Sequence, residues 1–150
     1  MLCLNKIMMK RKTIYVDMDG VLADYDGRCV ELNVDPNNTD NIEGFFRSLK
    51  PLPGAIEAYR KLNNIHDVYI LTTAPWDNPT ALSEKNAWIK EYLPEAYKRV
   101  IYTHHKNLCM GDYLIDDRTK NGAGEFTGEL LHFGTEKFPN WDSVLKYIGV

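Results

Sequence analysis

Apolar residues in this chain gather in short blocks rather than long periodic runs. Five blocks stand out: 13–16 (TIYV), 67–72 (DVYILT), 99–103 (RVIYT), 113–116 (YLID) and 129–133 (ELLHF). Each is rich in β-branched or aromatic residues and lacks extended polar alternation, the pattern of strands buried on both faces. Between them the spacing turns helical. Residues 53–65 open on Pro53 and Gly54 and place Ile56, Tyr59 and Leu62 on one side. Residues 78–93 offer Thr80 as an N-cap and an apolar face through Leu82, Trp88, Ile89 and Tyr92. Residues 141–148 form a last amphipathic block. Strand and helix alternate, which predicts an α/β fold, a Rossmann-like three-layer sandwich around a mainly parallel five-stranded sheet.

Residues 24–50 break the rhythm. They contain Asp35-Pro36-Asn37-Asn38 and Gly44 and have weak helical character. Ahead of Lys50 they carry six acids (Asp24, Asp26, Glu31, Asp35, Asp40, Glu43) against Arg28 and Arg47. The expected structure is a small cap of two short helices, inserted after the first strand and folded over one end of the sheet.

With 150 residues, 44% of them hydrophobic, the chain can bury one core, and a single domain over 1–150 is expected. The net charge of −3 and pI of about 5.8 give no basic footprint for nucleic acid. Cys3, Cys29 and Cys109 are odd in number and far apart, with neither zinc-site spacing nor a disulfide framework. They read as free thiols in a reducing, cytoplasmic compartment. The opening MLCLNKIMMKRK is interrupted by Asn5 and Lys6 before it reaches signal-peptide length, and no run approaches a membrane span. Met8 and Met9 offer alternative starts, so residues 1–11 are expected to be a loose tail.

Candidate chemistry lies where strands end. In open parallel sheets ligands bind beyond the carboxyl ends of the strands. Asp17 and Asp19 follow the first strand, Thr72 and Thr73 the second, Lys106 the third by a short loop, and Asp116 and Asp117 close the fourth. Four segments therefore bring polar groups to one edge. Four carboxylates in one small site repel one another unless a cation neutralises them. Hard oxygen ligands without a His or Cys cluster favour Mg²⁺. A carboxylate can attack phosphorus, and a second can move protons to the leaving group and from water. Lysine and hydroxyls can hold phosphate oxygens.

These residues carry a resemblance. DMDGVLAD, VYILTTAP, the lysine of THHKN and GDYLIDDR resemble, in order, the four motifs of the haloacid dehalogenase-like phosphohydrolases. Within that superfamily, PLPGA, EKNAWIKEYL, LIDDR and the late NW are similar to the 5′(3′)-deoxyribonucleotidases, over roughly residues 13–148. The resemblance implies a Mg²⁺-dependent phosphomonoesterase that cleaves (deoxy)nucleoside monophosphates through an aspartyl-phosphate. It implies Asp17 as nucleophile and metal ligand, and Asp19 as general acid/base with its backbone carbonyl on the metal. Thr72 matches the phosphate-binding hydroxyl with Thr73 beside it, and Lys106 matches the lysine pairing with phosphate and nucleophile. Asp116 and Asp117 match the acidic pair at the metal, Asp117 favoured as the direct ligand. Tyr25, after LAD, aligns with the start of the cap and is a substrate-binding candidate. The cap is shorter than in the animal enzymes of this family, which leaves base preference open.

Plainer readings stand beside these. Asp24 and Asp26 read as capping or surface acids. His104 and His105 point opposite ways if extended. Trp88, Tyr92 and Trp141 read as core. Tyr25, Phe45, Phe46 and Trp76 can stack a base or simply pack the cap, and Lys85 can reach the substrate from the helix after the second motif. Rival functions are a phosphatase for another small phosphate, such as a sugar phosphate, and a non-catalytic nucleotide-binding module. The acidic cap speaks against a nucleic-acid polymer as substrate, and nothing calls for a membrane partner.

Overall fold

The structure, a computed structural model, describes residues 9–150; of the tail expected over residues 1–11, residues 1–8, with Cys3 among them, lie outside the described residues. All five expected strands form: β1 (Thr13–Val16), β2 (Asp67–Thr72), β3 (Val100–Tyr102), β4 (Tyr113–Asp116) and β5 (Glu129–His132). They make one parallel sheet in the order β3-β2-β1-β4-β5. The chain runs outward from β1 through β2 to β3, then returns past β1 to β4. The direction thus reverses between β1 and β4, and a crevice opens there at the carboxyl ends. Val16 sits in register with Ile70 on one side and Ile115 on the other, so the residues that follow β1 emerge at the centre of that edge.

Period-two alternation divides the strand side chains between two cores. Ile14, Val16, Val68, Ile70, Ile115 and Leu131 face a cluster completed by α1 (Tyr25–Leu32), α2 (Ala55–Ile65), α3 (Ala81–Tyr92) and α4 (Trp141–Ile148). Tyr15, Leu71 and Leu114 face the other side, closed by Ala123 and Phe126. The sandwich is therefore uneven. The connections over 103–112 and 117–128 hold only the 3₁₀ turns Lys106–Leu108 and Ala123–Glu125, too short for a helical layer. Among the described residues no helix is long and apolar enough to cross a membrane.

The cap differs in detail from two short helices. It holds one regular helix, α1, and two 3₁₀ turns, Pro36–Asn38 and Phe46–Ser48. Asp24 supplies the capping signal, its carboxylate accepting from Gly27 N at 2.9 Å. Asn33 ends the helix in the left-handed region, φ 53°. Tyr25, Phe45 and Phe46 pack on one another, with Phe45 lying 5.3 Å from each of the other two rings. The end of the cap is tied to α3: Trp88 Nε1 donates to Leu49 O at 2.8 Å and Arg47 N to Glu84 Oε1 at 3.2 Å.

On α3 two expectations change. Thr80 occupies the N-cap position, but Asn78 does the capping, its Oδ1 accepting from Thr80 N and Ala81 N at 3.0 Å each. The Thr80 hydroxyl turns instead to Asn78 and Glu84. Leu82 is half exposed, because the inward face runs through Ala81, Lys85, Trp88 and Ile89.

Candidate active site

Asp17 continues β1, its N–H donating to Ile115 O at 2.9 Å, and so it is held at the carboxyl end beside β4. Lys106 approaches from the 3₁₀ turn after β3. Its ammonium lies between two carboxylates, 2.9 Å from Asp17 Oδ1 and 2.6 Å from Asp116 Oδ2. All three side chains are buried. Burial opposes the charge on Lys106, but Asp17 and Asp116 outweigh it and raise its pKa above the ordinary lysine range. Asp116 is also fixed through Oδ1, which accepts from Arg118 N at 2.9 Å.

One oxygen each from Asp17, Asp116 and Asp117 lie within 4.8 Å of one another. Burial, and then repulsion within the cluster, pushes both Asp116 and Asp117 above the ordinary carboxylate range. Asp117 Oδ1 is buried without a hydrogen-bond partner. Of the four carboxylates at this edge, Asp19 pairs with Lys85, and Lys106 serves Asp17 and Asp116 together. Two negative charges are left beyond what the lysines compensate, with Arg118 Nε 4.0 Å from Asp117 Oδ2, and one buried oxygen, Asp117 Oδ1, is left without a partner. A divalent cation with hard oxygen ligands meets both needs, so the residues fit Mg²⁺. Asp17, Asp116 and Asp117 would hold it with side-chain oxygens; the Asp19 side chain lies outside that group. His104 and His105 are also not part of it.

Gly20 explains how Asp17 and Asp19 are delivered and the chain then turned away. Its φ is +77°, and a Cβ there would lie 2.2 Å from Asp117 Oδ2. The turn is closed by Gly20 N donating to Ala23 O at 2.9 Å.

Asp19 and Lys106 line a cavity of about 370 Å³ together with Asp17, Asp116, Asp117 and Thr73. Thr73 stands in the wall, its hydroxyl donating to Thr103 O at 2.6 Å. Thr72 lies beneath, buried, its Oγ1 accepting from Lys85 Nζ at 3.2 Å. Tyr25 reaches the cavity with its ring while its hydroxyl is tied to Pro36 O at 2.7 Å and to Thr39. Phe46 lines the cavity and Phe45 does not, being core of the cap. Trp76, 86% exposed, forms part of the rim, its ring 6.0 Å from that of His104. Trp88 and Trp141 are core, as expected.

Asp40, one of the cap acids, and Arg118, the third residue of DDR, also line the cavity, as do Asp77, Lys120 and Asn121, which sit in loops with no local signal in the sequence. Lys85, which the sequence allowed to reach the substrate, is instead fully buried, with its ammonium on Asp19 and Thr72. A lysine among Ala81, Trp88 and Ile89 on an inward helical face was the available sign.

Comparison with known proteins places this geometry. The family described as 5′ nucleotidase, deoxy (Pyrimidine), cytosolic type C protein matches residues 34–138. The chain belongs to this family. The match takes in Thr72, Thr73, Lys106, Asp116 and Asp117, whereas Asp17 and Asp19 lie ahead of it. Relatives cover the first motif as well. A protein of Vibrio phage KVP40, provisionally named a 5′(3′)-deoxyribonucleotidase, is 48% identical over 98% of this chain and 92% of its own length. A Staphylococcus aureus protein with the same provisional name is 31% identical over 93% of this chain and 96% of its own. The cytosolic-type 5′(3′)-deoxyribonucleotidase of Homo sapiens is 28% identical over 92% of this chain and 81% of its own. Membership bears out the superfamily and subfamily resemblance read from the four motifs.

Proposed function

We propose that the chain is a Mg²⁺-dependent phosphomonoesterase acting on deoxynucleoside monophosphates. One observation carries the reading: a lysine bridging Asp17 and Asp116 beside the orphan oxygen of Asp117, at the carboxyl edge of a parallel sheet. The family names of its relatives supply the substrate class.

In this reading Asp17, Asp116 and Asp117 would hold the metal, which when bound would supply a Lewis acid that offsets the negative charge of the phosphate. Asp17 attacks phosphorus, the bond from phosphorus to the ester oxygen breaks, and an aspartyl-phosphate forms on Asp17. The Asp19 carboxyl gives its proton to the departing alkoxide. Burial, opposed by Lys85 and aided by Asp17, raises the pKa of Asp19 above its ordinary value, which favours the protonated form needed at that moment. Asp19 then takes a proton from water as the water oxygen attacks phosphorus. The bond to Asp17 breaks, and both carboxylates return to their starting state with phosphate released. Lys106 offsets the charge that develops on the phosphoryl oxygens.

The test is phosphate release from a panel of nucleoside monophosphates and sugar phosphates, with Mg²⁺ and with EDTA. Release from dUMP or dTMP that needs Mg²⁺ is expected. Full turnover in metal-free buffer overturns the metal assignment. A preference for a hexose phosphate keeps the chemistry and changes the substrate. No release from any ester leaves a binding module.

A further inference from the structure

Lys85 is the one fully buried lysine among the described residues that does not line the cavity. Its ammonium has three neighbours: Asp19 Oδ2, Thr72 Oγ1 at 3.2 Å, and the ring of Phe46, whose centroid is 4.7 Å away. A buried ammonium is costly unless its donors are used, and here three different segments use them. The contact divides the two oxygens of Asp19. Oδ2 is bound by Lys85, while Oδ1 is buried and has no hydrogen-bond partner. Asp19 itself lines the cavity, its side chain 24% exposed.

We propose that Lys85 is the positioning residue of the acid–base carboxylate: it pins Asp19 Oδ2 and so fixes the rotation of the carboxyl group that exchanges a proton with the substrate. The inference rests on the role given to Asp19 above. Without the pin, Asp19 is free to rotate toward the cluster of Asp17, Asp116 and Asp117. The same ammonium fills a lone pair of the Thr72 hydroxyl, so that hydroxyl must direct its own proton elsewhere. Phe46 seals the pair from the cap side, which gives this cap aromatic a task other than stacking a base.

Leaving-group dependence tests the proposal. A deoxynucleoside alkoxide needs a proton to depart; p-nitrophenolate does not. Lys85→Met should lower kcat on dTMP about 100-fold, while the first-turnover release of p-nitrophenol from p-nitrophenyl phosphate falls less than about fivefold. Binding of inorganic phosphate, measured by calorimetry, should weaken only about threefold, because Lys85 does not line the cavity. Equal losses on both esters, or a loss of phosphate affinity as large as the loss in kcat, overturn the proposal. Lys85→Arg is the second variant if Lys85→Met does not fold. It keeps the charge and misplaces it, so the same asymmetry is expected at smaller size, and its absence counts against the proposal. Asp19→Asn is the reference. If it shows no leaving-group asymmetry, the acid–base role of Asp19 falls and the pin with it. If it shows the asymmetry and the Lys85 variants do not, the positioning proposal falls alone.

Discussion

Gly20 and Asp117 touch across the site: a single added methyl at Gly20 would lie 2.2 Å from the Asp117 carboxylate. The glycine is thus fixed twice, by its backbone at φ +77° and by the acid opposite. Gly20→Ala should cost about 1 kcal/mol in backbone strain and push Asp117 out of the cluster it shares with Asp17 and Asp116. We expect weaker Mg²⁺ binding and at least a tenfold fall in kcat/KM at low Mg²⁺, partly restored at high Mg²⁺. Titration of activity against Mg²⁺ checks this, and an unchanged metal dependence would reject Asp117 as a ligand.

Asp17→Asn keeps the shape and removes the nucleophile. An amide cannot attack phosphorus as a carboxylate does. The substitution would also leave Lys106 with Asp116 as its carboxylate partner, so the fold should persist with little change in circular dichroism. Phosphate release should fall by at least about 1,000-fold. Release at the wild-type rate would remove Asp17 from the mechanism.

Much of this was legible in the chain, for identifiable reasons. The strands could be read because a parallel sheet covered on both faces demands uninterrupted apolar blocks. Asp17, Lys106 and Asp116 could be read because each follows or closes such a block, and the fold brings strand ends together. Capping was harder: Thr80 and Asn78 are both good N-cap types two residues apart, and only the backbone path decides that Asn78 Oδ1 reaches Ala81 N. The thin side of the sheet was not legible either, because apolar blocks report that a strand is covered and not what covers it. Lys85 illustrates the deepest limit. Its position on α3 pointed inward, but its partners Asp19 and Phe46 come from segments distant in sequence, and only the packing joins them.

Tyr59 gives a stability prediction away from the site. It is fully buried, and its hydroxyl has no hydrogen-bond partner. Burial pushes its pKa up to about 12. A group whose folded pKa lies above its unfolded value stabilises fully below the unfolded pKa, near 10, and loses that contribution as pH rises toward 12. The loss is about 2–3 kcal/mol over that window. Tyr59→Phe removes an unpaired polar atom, so at neutral pH Tm should hold or rise by about 2–4 °C. Between pH 10 and 12 the variant should lose less stability than the parent. Thermal melts across that range check both, and a clear loss for Tyr59→Phe at pH 7 would mean the hydroxyl has a partner after all.

The last prediction concerns substrate size. The cavity, about 370 Å³, is roofed by Tyr25, Phe46 and Asp40 from the cap and bounded by Trp76 and Asp77 on the loop after β2. The end of the cap is tied to α3, where Trp88 and Glu84 hold Leu49 and Arg47. A small leaving group fits beneath such a roof. A strand of nucleic acid would have to leave past Asp40 and Asp77, whose charge repels its phosphates. The aromatic rim offers a nucleobase about 1–3 kcal/mol for each ring that engages it. We therefore expect kcat/KM for dUMP or dTMP to exceed that for a short end-phosphorylated oligonucleotide by at least about 100-fold. Replacing Asp40 and Asp77 with Asn should narrow that gap by raising activity on the oligonucleotide, more at low salt than at high salt, since screening already weakens the repulsion there. Equal activity on the oligonucleotide and the mononucleotide would overturn the roofed cavity as the basis of selection. A gap that does not respond to the two substitutions would assign selection to the shape of the roof alone.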